Sequence, residues 1–181
     1  MKNEREKALE LHRKYGSNQQ IVKHCETVAS VAKMLVDALR LSGEPIDEEA
    51  VIIAASLHDI GRTRTQSVHH GYVGAEILGS EGLDGPVAEI VRRHIGAGIS
   101  KEEASSLGFP DGDYVPRTLE EKIVCFADKM VDGVRVRPFA EEVKRFTAKG
   151  HDVERLKALK ESLKEAMRQD PEEIVFSKLR A

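Results

Sequence analysis

AVIIAASLHDIGR, residues 50–62, decides how the rest of the chain is read. Val51, Ala54 and Ala55 share one face at helical spacing, and Asp47 upstream suits an N-cap, so a helix is expected from 47 to about Ile60. Gly61 reads as its C-terminal cap. His58 lies four residues after Ala54 and seven after Val51, on the same face as the apolar residues. This helix therefore carries an ionisable group toward the core, and Asp59 follows at its end.

The helical period continues in both directions. Ile21, Val22, Cys25, Val28, Val31, Ala32, Leu35, Val36 and Leu39 give a helix over 18–41, broken by Gly43 and Pro45. Helices are also expected at 3–15, stopped by Gly16, at 69–79, and from Pro86 to about Ile95. GAGISKEEASSLGFPDGDYVPR, residues 96–117, reads as a long loop with one short helix at 100–107. Thr118 and Glu121 form a capping box that opens a helix to about Val131. Residues 139–149 and 152–169 continue the pattern, and DPEE at 170–173 opens a last short helix. Strand signals are almost absent, and there is no repeat or linker. The expectation is an all-α fold, one domain over 1–181, with a core at about 18–135, a leading helix and a C-terminal helical extension.

Composition narrows the function classes. Of 181 residues, 33% are charged and 40% hydrophobic, and the net charge is −3. No run approaches the roughly 20 apolar residues of a membrane span. MKNEREKALE at the N-terminus lacks the apolar stretch of a signal peptide, so a cytoplasmic location is expected. The acidic balance and the lack of a basic, aromatic stripe argue against nucleic-acid binding. Cys25 and Cys125 sit in apolar surroundings and read as buried thiols rather than a disulfide.

His58 is one of several polar residues on apolar stripes. His24 lies three after Ile21 and four before Val28. His70 precedes Val73 by three, and His94 follows Ile90 by four. Asp128 follows Val124 by four and precedes Val131 by three. A lone buried histidine finds a hydrogen-bond partner easily, but a lone buried carboxylate costs several kcal/mol. Four histidines and two aspartates in one core satisfy one another if they share a metal. The nitrogen and oxygen set, free of thiolates, suits Mn, Fe, Co, Ni, Mg or a catalytic Zn. His12 and His151 lie in charged segments and read as surface residues, while His69 reads as loop or a neighbour of the site.

His24, then His58-Asp59 within HDIG, then Asp128 within FADKM, resembles the HD-domain superfamily of metal-dependent phosphohydrolases over about residues 20–135. HHGYVGAEIL and VRRHIG resemble two further histidine motifs of its dinuclear branch, which includes the bacterial symmetrical diadenosine tetraphosphatases. The chain looks closer still to an uncharacterised HDIG group typical of archaea. The resemblance implies a helical HD bundle and one or two divalent ions. His24, His58, Asp59 and Asp128 would hold the first, and His70 and His94 the second, with Asp59 bridging.

The expected activity is hydrolysis of a phosphoester or phosphoanhydride, of a nucleotide or dinucleotide, by a metal-activated water, with Asp59 and Arg62 catalytic. Arg62 follows the ligand pair and is a candidate phosphate grip, together with Lys129, Arg135 and Arg137. The 97–117 loop is a candidate lid, with Tyr114 a candidate for stacking on a base. The partner is a small phosphorylated molecule rather than a nucleic acid or a membrane, and a homo-oligomer is compatible. The competing reading is an HD module that holds metal without turnover and acts as a ligand sensor or partner-binding domain.

Overall fold

Twenty-four residues of unbroken helix, Gln19–Ser42, form the axis of the computed structural model, which describes residues 4–180. The helix starts where the Asn18 side chain accepts from the Ile21 amide and ends at Gly43, whose φ of 82° closes a left-handed cap. Among the described residues there are ten α-helices. They are α1 (Glu4–Tyr15), α2 (Gln19–Ser42), α3 (Glu48–Leu57), α4 (His70–Ser80) and α5 (Pro86–Arg92). Then follow α6 (Lys101–Ser106), α7 (Leu119–Lys129), α8 (Phe139–Ala148), α9 (Val153–Met167) and α10 (Pro171–Arg180). The all-α expectation holds. The expected start of the first helix at residue 3 lies outside the described residues.

Helix α2 packs on α3, α7, α9 and α10, and α3 also meets α1 and α5. Leu35, Leu39, Leu57, Ile90, Ile123 and Phe126 are fully buried between them. Leu156 and Leu163 of α9 and Val175 of α10 join the same core, so the C-terminal extension packs on the helices that carry the polar residues. No helix among the described residues is long and apolar enough to cross a membrane.

Four details depart from the sequence reading. First, α3 stops at Leu57, and a 3₁₀ turn spans Ile60–Thr63. Gly61 lies inside that turn and is not a left-handed cap. It is needed because α4 crosses directly above. A Cβ there would stand 2.0 Å from the His70 carbonyl oxygen and 2.6 Å from the Gly74 nitrogen. Second, α5 stops at Arg92, so His94 lies beyond the helix, where the chain turns through Gly96 and Gly98 with positive φ. Third, Val131–Asp132 (β1) and Arg135–Val136 (β2) form a small antiparallel hairpin, with Val131 opposite Val136 and Asp132 opposite Arg135. Gly133, with φ of 60°, is the first of the two turn residues between them, where glycine is favoured. Fourth, His12 lies on the face of α1 buried against α3 and is not exposed. Its Nε2 donates to the Ser56 carbonyl at 2.8 Å and its Nδ1 accepts from the Ser17 hydroxyl at 2.8 Å.

The 97–117 segment carries α6 as expected, with Ser100 and Glu103 forming a capping box. It also has a small core of its own, in which Ile99, Ala104, Phe109 and Tyr114 are buried.

Candidate metal centre

Six side chains from five places in the chain converge at one end of α2. His24 projects from the second turn of α2. His58 caps the C-terminus of α3, and Asp59 leads into the 3₁₀ turn. His70 opens α4, His94 sits two residues past α5, and Asp128 is the penultimate residue of α7. His58 and His94 thus stand just past helix ends, not on helix faces. There the chain is free to turn a side chain inward, and the helix C-termini add partial negative charge.

Each histidine is held the same way. Nδ1 lies 2.9 Å from the Gly133 carbonyl in His24, 2.8 Å from Ala55 in His58, 2.7 Å from Ser67 in His70 and 2.7 Å from Val91 in His94. A carbonyl only accepts, so Nδ1 carries the proton in all four, and Nε2 presents its lone pair inward. Ala55 and Val91 lie at helix ends that leave such carbonyls unpaired, so His58 and His94 also complete the helices they follow.

The inward atoms fall into two overlapping groups. On one side, Asp128 Oδ1 stands 3.0 Å from His24 Nε2 and 3.5 Å from His58 Nε2, and Asp59 Oδ2 is 3.9 Å from His58 Nε2. On the other, Asp59 Oδ1 is 3.1 Å from His70 Nε2 and 3.7 Å from His94 Nε2. Asp59 thus turns one oxygen to each side. Three ligand triads lie within 4.8 Å: His24, His58, Asp59; His58, His94, Asp128; and Asp59, His70, His94. His58 Nε2 and Asp59 Oδ1 are buried without a hydrogen bond among the described residues. Burying such atoms unpaired costs about 1–3 kcal/mol each, a cost a shared cation removes. The donor set therefore fits a divalent ion.

The electrostatics agree. Burial opposes ionisation of Asp59 and Asp128, yet both are held far below the usual carboxylate range. His58, His70 and His94 do this for Asp59, and Lys129, His24 and His58 for Asp128. Burial also works against charge on His24 and His58, but Asp128 and Cys25 outweigh it in His24, and Cys25, Asp59 and Asp128 outweigh it in His58, so both are raised. In His24 the extra proton lies on Nε2, facing Asp128, where an ion would otherwise sit. His94, enclosed almost completely, is pushed down to about 4 by burial, reinforced by His58 and His70.

The basic residues named from sequence divide. Arg62 Nε lies 2.8 Å from Asp59 Oδ2, and Lys129 hydrogen-bonds Asp128. Both also line a recess of about 210 Å³ in front of the cluster. Arg135 is exposed on the hairpin, paired with Glu141 at 3.1 Å, away from that recess. Arg137 is buried behind it, 3.5 Å from Asp132 and 3.2 Å from Glu142. Tyr114 does not face the recess as a stacking ring. It is 4% exposed and donates to the Pro110 carbonyl at 3.0 Å, because the loop uses it as core. His69 lies beside the site as expected, stacked on Phe109 with ring centroids 4.3 Å apart. Cys25 and Cys125 are buried free thiols.

Three recess residues escaped the sequence reading. Arg145 and Lys149 of the α8 segment and His151 beyond it form the opposite wall. Their i, i+4 spacing was visible, but nothing in the sequence says that α8 folds back over the cluster.

Comparison with known proteins agrees with this picture. Residues 21–131 match the HD domain family. An uncharacterized protein of Methanocaldococcus jannaschii is 46% identical over 141 residues, 78% of this chain and 83% of that protein. Two proteins named tRNA (cytidine(56)-2'-O)-methyltransferase, from Picrophilus torridus and Thermoplasma volcanium, are 42% identical over 156 residues and 39% over 168. These matches take in 85% and 92% of this chain but 44% and 48% of theirs, so the chain spans less than half the length of either. Among solved structures, the HD domain of the L. monocytogenes phosphodiesterase PgpH is similar in fold. Its TM-score is 0.52 at 18% identity, over 87% of this chain and 96% of that one.

Proposed function

The chain belongs to the HD-domain family, and from that premise we propose that it is a metal-dependent phosphohydrolase acting on a phosphoester or phosphoanhydride of a nucleotide or dinucleotide. One observation carries the reading. Four Nε2 atoms, each oriented by a carbonyl behind it, converge with two carboxylates, and His70, His94 and Asp128 of this cluster line a recess together with basic residues.

In this reading His24, His58, Asp59 and Asp128 hold one divalent ion, and Asp59, His70 and His94 a second. Mn, Fe, Co, Ni, Mg and Zn all suit such a donor set. Ions held there lower the pKa of water and neutralise charge on the phosphoryl group being transferred. The chain supplies the rest. Its carbonyls fix the imidazoles. Asp59 shares its two oxygens between the sides. Arg62 and Lys129, held by Asp59 and Asp128, stand ready to exchange those partners for a phosphate. Arg137 acts from behind, holding Glu142, which in turn holds Arg145 at 2.9 Å.

The two overlapping ligand groups suit the dinuclear branch that includes the symmetrical diadenosine tetraphosphatases, so dinucleoside polyphosphates belong among the substrates tested. A second reading, a phosphate at an RNA end, is supported only by the names of the two tRNA methyltransferase relatives. The test is phosphate release from nucleotides, dinucleoside polyphosphates and 5′-phosphorylated RNA, with Mn, Co or Ni added. Ion-dependent release supports a hydrolase. Tight ligand binding without release from any of them supports a sensor module instead.

A further inference from the structure

The recess does not end at the cluster. A second cavity of about 240 Å³ opens from it, and Ile95, Gly96, Phe146 and His151 line both. The two spaces differ in chemistry. The recess collects Arg62, Lys129, Arg145 and Lys149 around the histidines and Asp128. The annex has an apolar side, with Val68, Ile99, Leu107 and Phe146, and a charged side where Arg155 pairs with Glu103 at 2.7 Å and with Asp152 at 3.2 Å, so it offers no free cation. Val68 and Leu107 are 42% and 46% exposed, large apolar side chains that the fold leaves uncovered at this cavity.

We propose that this annex seats the nucleoside portion of the substrate, with Arg145 and Lys149 closing on its phosphates from the wall opposite the histidines; the proposal rests on the phosphohydrolase reading above. An anion-binding recess joined to an apolar annex matches a molecule that is charged at one end and flat and apolar at the other. The annex falls short of the roughly 300–1,000 Å³ of a drug-sized pocket, so it suits one ring system and not a run of stacked bases. Phe146 and His151, with ring centroids 5.3 Å apart, stand at the junction where the sugar would pass. Lys149 makes no ion pair among the described residues, so its charge is free for the ligand. Arg145 is aimed by Glu142, which is fully buried. Arg145, Phe146, Lys149 and His151 lie outside residues 21–131, so the C-terminal extension shares the reading of substrate with Val68, Ile99 and Leu107 of the matched region.

The test uses the full chain and two readouts. In the first, kcat/KM with Mn is compared for nucleoside 5′-monophosphates, 2′,3′-cyclic nucleotides, dinucleoside polyphosphates and glycerol 2-phosphate. The best nucleotide should exceed glycerol 2-phosphate at least tenfold. Leu107→Trp, at an exposed position that fills the annex, should cut that ratio at least tenfold. In the second, saturation-transfer NMR follows adenosine, which has no phosphate to engage the ions. Transfer from protein methyls to the base protons should appear in the wild type and vanish in Leu107→Trp. Phosphate release with a ratio near one, unmoved by the substitution, overturns the annex and leaves the hydrolase reading standing. So does faster release from 5′-phosphorylated RNA than from any mononucleotide or dinucleotide. Absence of ion-dependent release from every substrate overturns the hydrolase reading, and the annex proposal with it.

Discussion

The two walls of the cleft are built by opposite means. The histidine wall is enclosed, and every imidazole is fixed by a backbone carbonyl within 2.9 Å. The α8 wall is open. Arg145 and Lys149 are exposed, and only Arg145 has a buried carboxylate to direct it. A group that must meet an ion within a few tenths of an ångström needs rigid backing, while a group that meets a phosphate can adjust on binding. The walls should therefore respond differently to mutation: changes to the first abolish chemistry, and changes to the second alter affinity.

The largest effect is expected at Asp59. It serves both sides of the cluster, and its close contacts are polar ones to His58, Arg62, His70 and His94. Asp59→Ala should lower kcat about 10³-fold, roughly 4 kcal/mol of transition-state stabilisation, while the melting temperature moves by less than ~4 °C. Circular dichroism melts beside initial rates check both; a collapse in melting temperature would make the residue structural.

Gly61→Ala attacks the same wall through its backbone. The new Cβ meets the His70 carbonyl oxygen at 2.0 Å, so α4 has to move. A loss of about 3 kcal/mol in urea unfolding is expected, with metal binding impaired because His70 moves with the helix. Unchanged stability would mean that the close approach is easily relieved.

Next comes the support for that wall. Phe109 stacks on His69, beside His70. Phe109→Ala should loosen the small core of the 97–117 segment. Amide exchange there should accelerate about 30-fold, equivalent to about 2 kcal/mol of lost local stability, with the α2 core unaffected.

The pH response follows from His24 and His58. Their folded pKa values are raised, so the protonated pairs with Asp128 and Asp59 stabilise the ion-free fold fully below about 6.5. That contribution is lost as pH rises through the raised values. An ion needs both rings neutral, so its affinity should run the other way. Mn binding should weaken about tenfold between pH 8 and pH 6, and binding should release protons in weak buffer. Titrations at pH 6, 7 and 8 that gave one affinity would contradict this.

The smallest change is expected at Lys149, on the open wall. Lys149→Ala should raise KM about three- to tenfold with kcat within twofold, and added salt should shrink the difference. A drop in kcat equal to that from Asp59→Ala would erase the distinction between the walls.

The histidine wall was legible in the sequence because its rule is local. A polar residue three or four positions from apolar ones must enter the core, and that places His24, His70 and Asp128 without knowledge of the fold. The exact helix ends were less legible. Whether α3 continues past Leu57 depends on α4 lying over Gly61, a tertiary contact. The buried His12 was hidden in a charged segment for the same kind of reason, since its partner Ser56 lies 44 residues away. The α8 wall was least legible. Arg145, Lys149 and His151 look like ordinary surface charges until the chain folds back, and Arg135 and Arg137, nearer the ligands in sequence, turned to Glu141 and Glu142 instead.

Two overlapping ion sites that share Asp59 require all six residues to act as ligands. The decisive measurement counts metal in protein loaded with excess Mn and desalted, using plasma mass spectrometry on wild type, His70→Ala and His94→Ala. Two ions per chain are expected in the wild type, falling toward one in each variant, because the first ion keeps His24, His58, Asp59 and Asp128. One ion per chain in all three proteins would contradict this, leaving His70 and His94 as neighbours of a single metal.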